Sequence, residues 1–194
     1  MGVESSRSKV IGNRILAREW DKHKRLIAKV KMVAGECSAE QLNWQPESDR
    51  WSIIQVLEHL YQSESVALRF ISAFDFERSD FKLGMGAFLR ARLTMLALRL
   101  PLRFRKPVSL PGPSPSGTME SGILFREWDA VLAAFNAFLE SFPKDRINRF
   151  VFKHPLAGRF NLPQALGFLN AHLKHHFFQI DRIKQNTGFP KNDP

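Results

Sequence analysis

Leu16, Trp20, His23, Ile27, Val30 and Ala34 recur at alternating spacings of four and three, which puts them on one stripe of a helix that packs in a bundle. The pattern predicts a first helix from about Asn13 to Ala34, with Gly35 where it should stop. Ser38 and Gln41 have capping-box spacing before Pro46, so a loop with a single helical turn is expected there. Ser52 and Gln55 repeat that spacing at the head of a second helix, whose buried stripe reads Ile53, Val56, Leu60, Ala67, Phe70 and Phe74. Leu124, Trp128, Val131, Phe135, Phe138 and Phe142 step by four and three again before Pro143, which marks a third helix. A connector with His154-Pro155 and Gly158 follows. Asn161 then caps a fourth helix, with Pro163 in its first turn and Leu166, Leu169, Leu173, His176, Ile180 and Ile183 as its seam, ending by Gly188. No alternating run of strand length competes with these patterns, and no internal repeat is present. The expectation is an all-α, four-helix bundle within a single domain covering residues 1–194.

Between the second and third helices, residues 75–118 break the pattern. A short basic helix is expected between Ala87 and Leu100, followed by Pro101, Pro107, Pro111, Pro113 and Pro115, which no helix interior accepts. Charge concentrates in the same place. Lys82, Arg90, Arg92, Arg99, Arg103, Arg105 and Lys106 stand between residues 82 and 106 without one acid among them, and carry most of the net charge of +10. One basic segment on a balanced chain points to a local anion or membrane-surface contact rather than to a generally basic surface. Helix-turn-helix and zinc-finger patterns are absent, so no specific nucleic acid is expected. The apolar stretch from Leu93 to Leu102 is interrupted by Arg99 and is too short to span a bilayer. No apolar leader opens the sequence, and Cys37 has no second cysteine to pair with; a cytoplasmic protein is expected.

The candidate chemistry lies in histidines. His172 and His176 stand four apart, on one face of the fourth helix, where two imidazoles can converge on one ion. His176 also occupies a seam position, where an unpaired imidazole is costly to bury. His59, flanked by Val56 and Leu60 on the inward side of the second helix, could supply a third nitrogen across the bundle. Spacing alone leaves two readings open, a chelating set or ordinary core histidines, because it does not show which helices face each other. His175 is turned about 100° from His176 and reads as peripheral. His23 reads as a satisfied core histidine, His154 as part of a loop, and Cys37 as a small inert thiol.

Two longer stretches connect these residues to known proteins. Asn43-Trp44-Gln45-Pro46 precedes Trp51-Ser52-Ile53-Ile54-Gln55-Val56-Leu57-Glu58-His59-Leu60. Near the end, His154-Pro155-Leu156-Ala157-Gly158 precedes Ala171-His172-Leu173-Lys174-His175-His176-Phe177-Phe178-Gln179-Ile180. In these motifs, and from about Leu16 to Ile183, the chain resembles the DinB-like family of metal-dependent four-helix-bundle proteins. The resemblance implies an up-down-down-up bundle with a long crossover at 75–118, and frequent homodimers. It also implies His59, His172 and His176 as the ligands of one divalent metal ion, and Gln179 as a polar residue beside them that orients a ligand or a water.

Three imidazoles suit zinc, nickel or iron alike, and leave a coordination position open for a small-molecule substrate. Characterised relatives include transferases that use low-molecular-weight thiols. The expected function is therefore a metal-dependent transferase acting with an anionic thiol, with a hydrolase-like enzyme close behind. The alternative is a non-catalytic bundle that works through its basic segment 82–106 on a membrane or nucleic acid. In that reading Phe88, Leu89, Leu93, Leu96 and Leu100 lie among arginines on an anionic surface. The competing structural explanation is that these leucines pack on the bundle or on a second subunit.

Overall fold

The structure, a computed structural model, describes residues 11–74, 84–100, 114–154 and 158–191. Of the crossover, Lys82, Arg103, Arg105, Lys106 and the prolines Pro101, Pro107, Pro111 and Pro113 lie outside the described residues, as do Pro155, Leu156 and Ala157 and the side chains of Phe88 and Arg99.

Among the described residues six α-helices, a short 3-10 turn (Lys144–Arg146) before the hairpin, and a two-stranded hairpin follow one another: α1 (Arg14–Gly35), α2 (Ala39–Asn43), α3 (Ile53–Ser72), α4 (Met85–Arg99), α5 (Ser121–Ser141), β1 (Phe150–His154), β2 (Gly158–Asn161) and α6 (Leu162–Lys184). Helix starts are set by local chemistry. Asn13 Oδ1 accepts from the Ile15 and Leu16 amides at the head of α1. Ser38 with Gln41, Ser52 with Gln55, and Asn161 with Gln164 form complete capping boxes at α2, α3 and α6. Each box satisfies amides that the first turn leaves without helical partners.

The four long helices α1, α3, α5 and α6 build the bundle around two apolar clusters. One joins Leu16 and Trp20 of α1, Ala67 and Ile71 of α3, Phe135 and Leu139 of α5, and Leu162 to Leu169 of α6. The other joins Ile27, Val30 and Ala34 of α1, Ile53 to Leu60 of α3, Leu124 and Trp128 of α5, and Leu173, Ile180 and Ile183 of α6. The first cluster thus takes the beginnings of α1 and α6 and the ends of α3 and α5, and the second takes the opposite ends. Helices α1 and α6 run one way and α3 and α5 the other, an up-down-down-up bundle. Two consecutive bundle helices that run parallel need a connection as long as a helix. Residues 73–120 supply it.

Within that crossover, α4 lies against α6 and β2. Gly167 leaves room for it: a Cβ there would stand 3.0 Å from Met95 Sδ, a tight contact that the Met95 side chain would have to yield to. The far end of the crossover is tied down by Glu58, which is buried and accepts from the Gly117 and Met119 amides at 2.9 and 2.8 Å and from the Ser116 hydroxyl at 3.2 Å. Gly117 has φ +74°, and a Cβ would press on Gln55, which makes this turn a glycine position.

Two expectations from the sequence need correction. The connector before α6 is not a plain loop: β1 and β2 pair antiparallel, Phe152 opposite Phe160 and His154 opposite Gly158, with the register shifting between Phe150 and Phe152. That irregularity and strands of five and four residues hide the hairpin from any search for clean alternation. Phe70 was expected in the buried stripe of α3 but is 58% exposed, while Ile71 is fully buried. A step of four from Ala67, not three, keeps the stripe on the core at 3.6 residues per turn. No helix among the described residues is long and apolar enough to cross a membrane.

Candidate metal centre

The level between the two apolar clusters is polar. His23 falls between Trp20 and Ile27 on α1, Glu64 between Leu60 and Ala67 on α3, and Asn170 and His172 between Leu169 and Leu173 on α6. One histidine group reaches from this level alongside the second cluster, and another lies within the level.

The first comprises His59 from α3 with His172 and His176 from α6. His172 Nε2 stands 3.2 Å from His59 Nε2 and 3.1 Å from His176 Nε2. One candidate ligand atom from each of the three lies within 4.8 Å of the others. Two nitrogens bound to one ion at about 2.1 Å, with an angle between the octahedral and tetrahedral values, are separated by roughly 3.0 to 3.4 Å. The observed spacings match that interval. His176 is buried and the other two are half-buried.

Hydrogen bonding sets the donor character. His176 Nδ1–H donates to Gln179 Oε1 at 2.8 Å, which leaves Nε2 as a bare lone pair aimed at the cluster. His172 Nε2 faces two imidazole nitrogens at once, and one N–H cannot serve both. Protonation offers no escape. Burial, then the neighbouring His176 and His59, hold His172 well below the usual histidine range. Burial and His59 likewise lower His176 to about 3, against a raising effect of the Gln179 hydrogen bond. Neutral imidazoles with lone pairs converging at these distances fit a divalent cation in both geometry and charge.

Aromatic rings wall the cluster. Trp51 lies with its ring centroid 4.9 Å from His59 and 6.3 Å from His176. Phe168 stacks on His172 at 6.1 Å with an interplanar angle of 8°. His154, at the end of β1, packs on the other side of Phe168 at 4.5 Å, and burial lowers its pKa. Neither ring was singled out from the sequence as part of the site, although Phe168 precedes His172 by one helical turn and that spacing was legible. His175 is buried, its ring edge-on to His176 at 5.2 Å, and burial followed by Arg182 lowers its pKa. It does not join the three converging nitrogens. Cys37, on the C-terminal side of α1, donates to Val33 O, and burial pushes its thiol up.

The second group centres on His23. Its Nδ1–H donates to Asn170 Oδ1 at 3.0 Å, and its Nε2 lies 3.3 Å from Glu64 Oε1. Trp128 Nε1–H donates to Glu64 Oε2 at 2.6 Å, and Asn170 Nδ2 donates to the Glu19 carbonyl and carboxylate. Four helices meet in this network, in which His23 Nε2 and Glu64 Oε1 face each other without a formed hydrogen bond.

The sequence matches the DinB superfamily over residues 23–180. In structure the chain is similar to YfiT from Bacillus subtilis, described as a probable metal-dependent hydrolase with an unusual four-helix bundle topology. The TM-score is 0.56 at 18% identity, covering 90% of this chain and 89% of that one. At such low identity the likeness concerns the fold. No curated protein matches the sequence. The family match spans most of the chain and both halves of the histidine cluster: this protein belongs to the DinB superfamily.

Proposed function

We propose that the protein holds one divalent metal ion on His59, His172 and His176 and acts as a transferase with a low-molecular-weight thiol. The observation that carries the metal is the convergence of three Nε2 atoms, with His176 Nδ1 already committed to Gln179. A bound zinc, nickel or iron ion would supply Lewis acidity toward a thiol, a water or a carbonyl oxygen.

The chain's own residues would do the rest. Gln179 holds the His176 ring in the tautomer that donates through Nε2. Trp51 and Phe168 exclude water from the flanks of the cluster, which strengthens electrostatic interactions within it. A route of contacts leads outward from His172 through Phe168 to His154, whose hairpin partner Gly158 lies beneath the Arg90 side chain of α4. An acidic substrate group reaching for the metal along the hairpin would meet Arg90, which supports a thiol that carries carboxylates. In the transfer, a sulfur–carbon bond forms as the bond from carbon to its leaving group breaks, and the thiol proton departs with that group. A homodimer is the assembly proposed with this activity.

A hydrolase is the second reading, favoured by the description of YfiT, and it uses the same three histidines. A screen separates the two. Protein loaded with zinc, nickel or iron is given a carboxylate-bearing thiol and an alkyl halide or epoxide, and thiol loss is followed. Loss that needs electrophile, metal and His172 supports the transferase. Thiol-independent cleavage of esters or amides with the same metal and His172 dependence would replace it with the hydrolase.

A further inference from the structure

Helix α4 faces two ways. Ala91 is fully buried, and Met95 and Leu98 pack on the cluster formed by the start of α6. These positions, at spacings of four and three, spend one face of α4 on the bundle. The opposite face carries Leu89, Leu93, Leu96 and Leu100, exposed by 57, 57, 56 and 46%, with Met85 beyond them at 87%. Isolated exposed leucines are ordinary, whereas a contiguous apolar stripe marks a contact surface. Arg90 and Arg92 are exposed on the borders of the stripe, and no acid occurs anywhere from residue 82 to 106.

We propose that this face of α4 docks the protein on a bilayer surface rich in anionic lipid. An apolar stripe edged by arginines is the arrangement of a helix that lies in the membrane interface, its side chains in the acyl boundary and its guanidinium groups among headgroups. Its 15 residues give a contact roughly 22 Å long. Charge selects this occupant over a second copy. Two α4 helices seam to seam would bring Arg90 and Arg92 against their counterparts, with no acid on the helix to meet them.

Flotation of the full chain with vesicles tests this. Phosphatidylcholine vesicles containing phosphatidylglycerol should carry the protein, and pure phosphatidylcholine vesicles should not. Raising the salt should weaken binding several-fold. The triple variant Leu89→Ser, Leu93→Ser, Leu96→Ser should lose at least about 30-fold in vesicle affinity, because interfacial binding scales with buried apolar area. These positions are exposed, so circular dichroism should be unchanged; the single variant Leu93→Ser is a milder control, expected to lose several-fold. The proposal fails if the folded wild-type protein ignores anionic vesicles, or if the serine variants bind them as well as wild type does. It also fails if ultracentrifugation shows a dimer that the triple variant dissolves while no vesicle binding is seen; the stripe would then belong to a second copy.

Discussion

His23 and His176 are both buried and on parallel helices, yet their surroundings differ in kind. His23 has an amide oxygen at Nδ1 and a carboxylate oxygen near Nε2. With the Nδ1 proton given to Asn170, Nε2 faces the Glu64 carboxylate across 3.3 Å without a formed hydrogen bond. His176 has an amide oxygen at Nδ1 as well, but its Nε2 meets the Nε2 of another histidine. There a cation that accepts lone pairs fits as the complement. Burial alone therefore does not mark a histidine as a metal ligand; the element facing its second nitrogen does. A carboxylate oxygen there belongs to a protein network, and converging nitrogen leaves a place for a metal.

The contrast can be broken most severely at His176. His176→Ala should abolish tight metal binding, by about 1000-fold or more, while the neighbouring His175→Ala should leave affinity within about tenfold. The two changes are chemically identical and differ by one step of about 100° round the helix. Metal titration of both folded variants is the check, and equal affinities would remove His176 from the ligand set.

Next in size is the effect at Glu64. Glu64→Ala leaves the Trp128 N–H without its acceptor and His23 Nε2 without the facing carboxylate inside the core, and should cost about 3 kcal/mol of stability. Denaturant unfolding measures it. The folded fraction should still take up one metal ion per chain, because Glu64 serves the other histidine group. Loss of metal with retained stability would reverse the assignment of the two groups.

Acid should separate the groups through the apo protein. His176 has its folded pKa lowered to about 3, below its unfolded value, so between these limits the unfolded chain binds the extra proton. Stability then falls as pH falls through that window, by about 2 kcal/mol from His176 alone between pH 7 and pH 5. His172, lowered for the same cause, adds to the fall. A metal-loaded sample should resist it until protons displace the ion. Apo stability that is flat from pH 7 to 5 would show that the cluster is not buried neutral.

The smallest effect is expected at Gln179. Gln179→Ala frees the His176 ring without removing a ligand, and should weaken metal binding about 10 to 100-fold. An unchanged affinity would mean that packing, not this hydrogen bond, orients the ring.

Legibility in the sequence follows the range of the interaction. Spacings of four and three and the capping boxes at Ser38 and Ser52 are local, and α1, α3, α5 and α6 follow from them, with ends displaced by a few residues at most. The pairing of His172 with His176 is local too, whereas the meeting of His59 with both rests on how α3 crosses α6, for which the motif resemblance stood in. The Glu64 partners of His23 and Trp128 lie on other helices, and no pattern within one helix signals them. The same holds for the grip of Glu58 on residues 116–119, 58 or more positions away. The hairpin escaped because one irregular register step removed the alternation that would have announced it.

Metal content after equilibrium dialysis reaches the central claim most directly, with wild type, His172→Ala and His23→Gln dialysed together against zinc. His172 is the decisive position, since its Nε2 lies between the other two at 3.2 and 3.1 Å. Wild type and folded His23→Gln should each hold one ion per chain, and His172→Ala should hold almost none. One ion per chain in His172→Ala, or its loss in folded His23→Gln, would contradict a centre built on His59, His172 and His176.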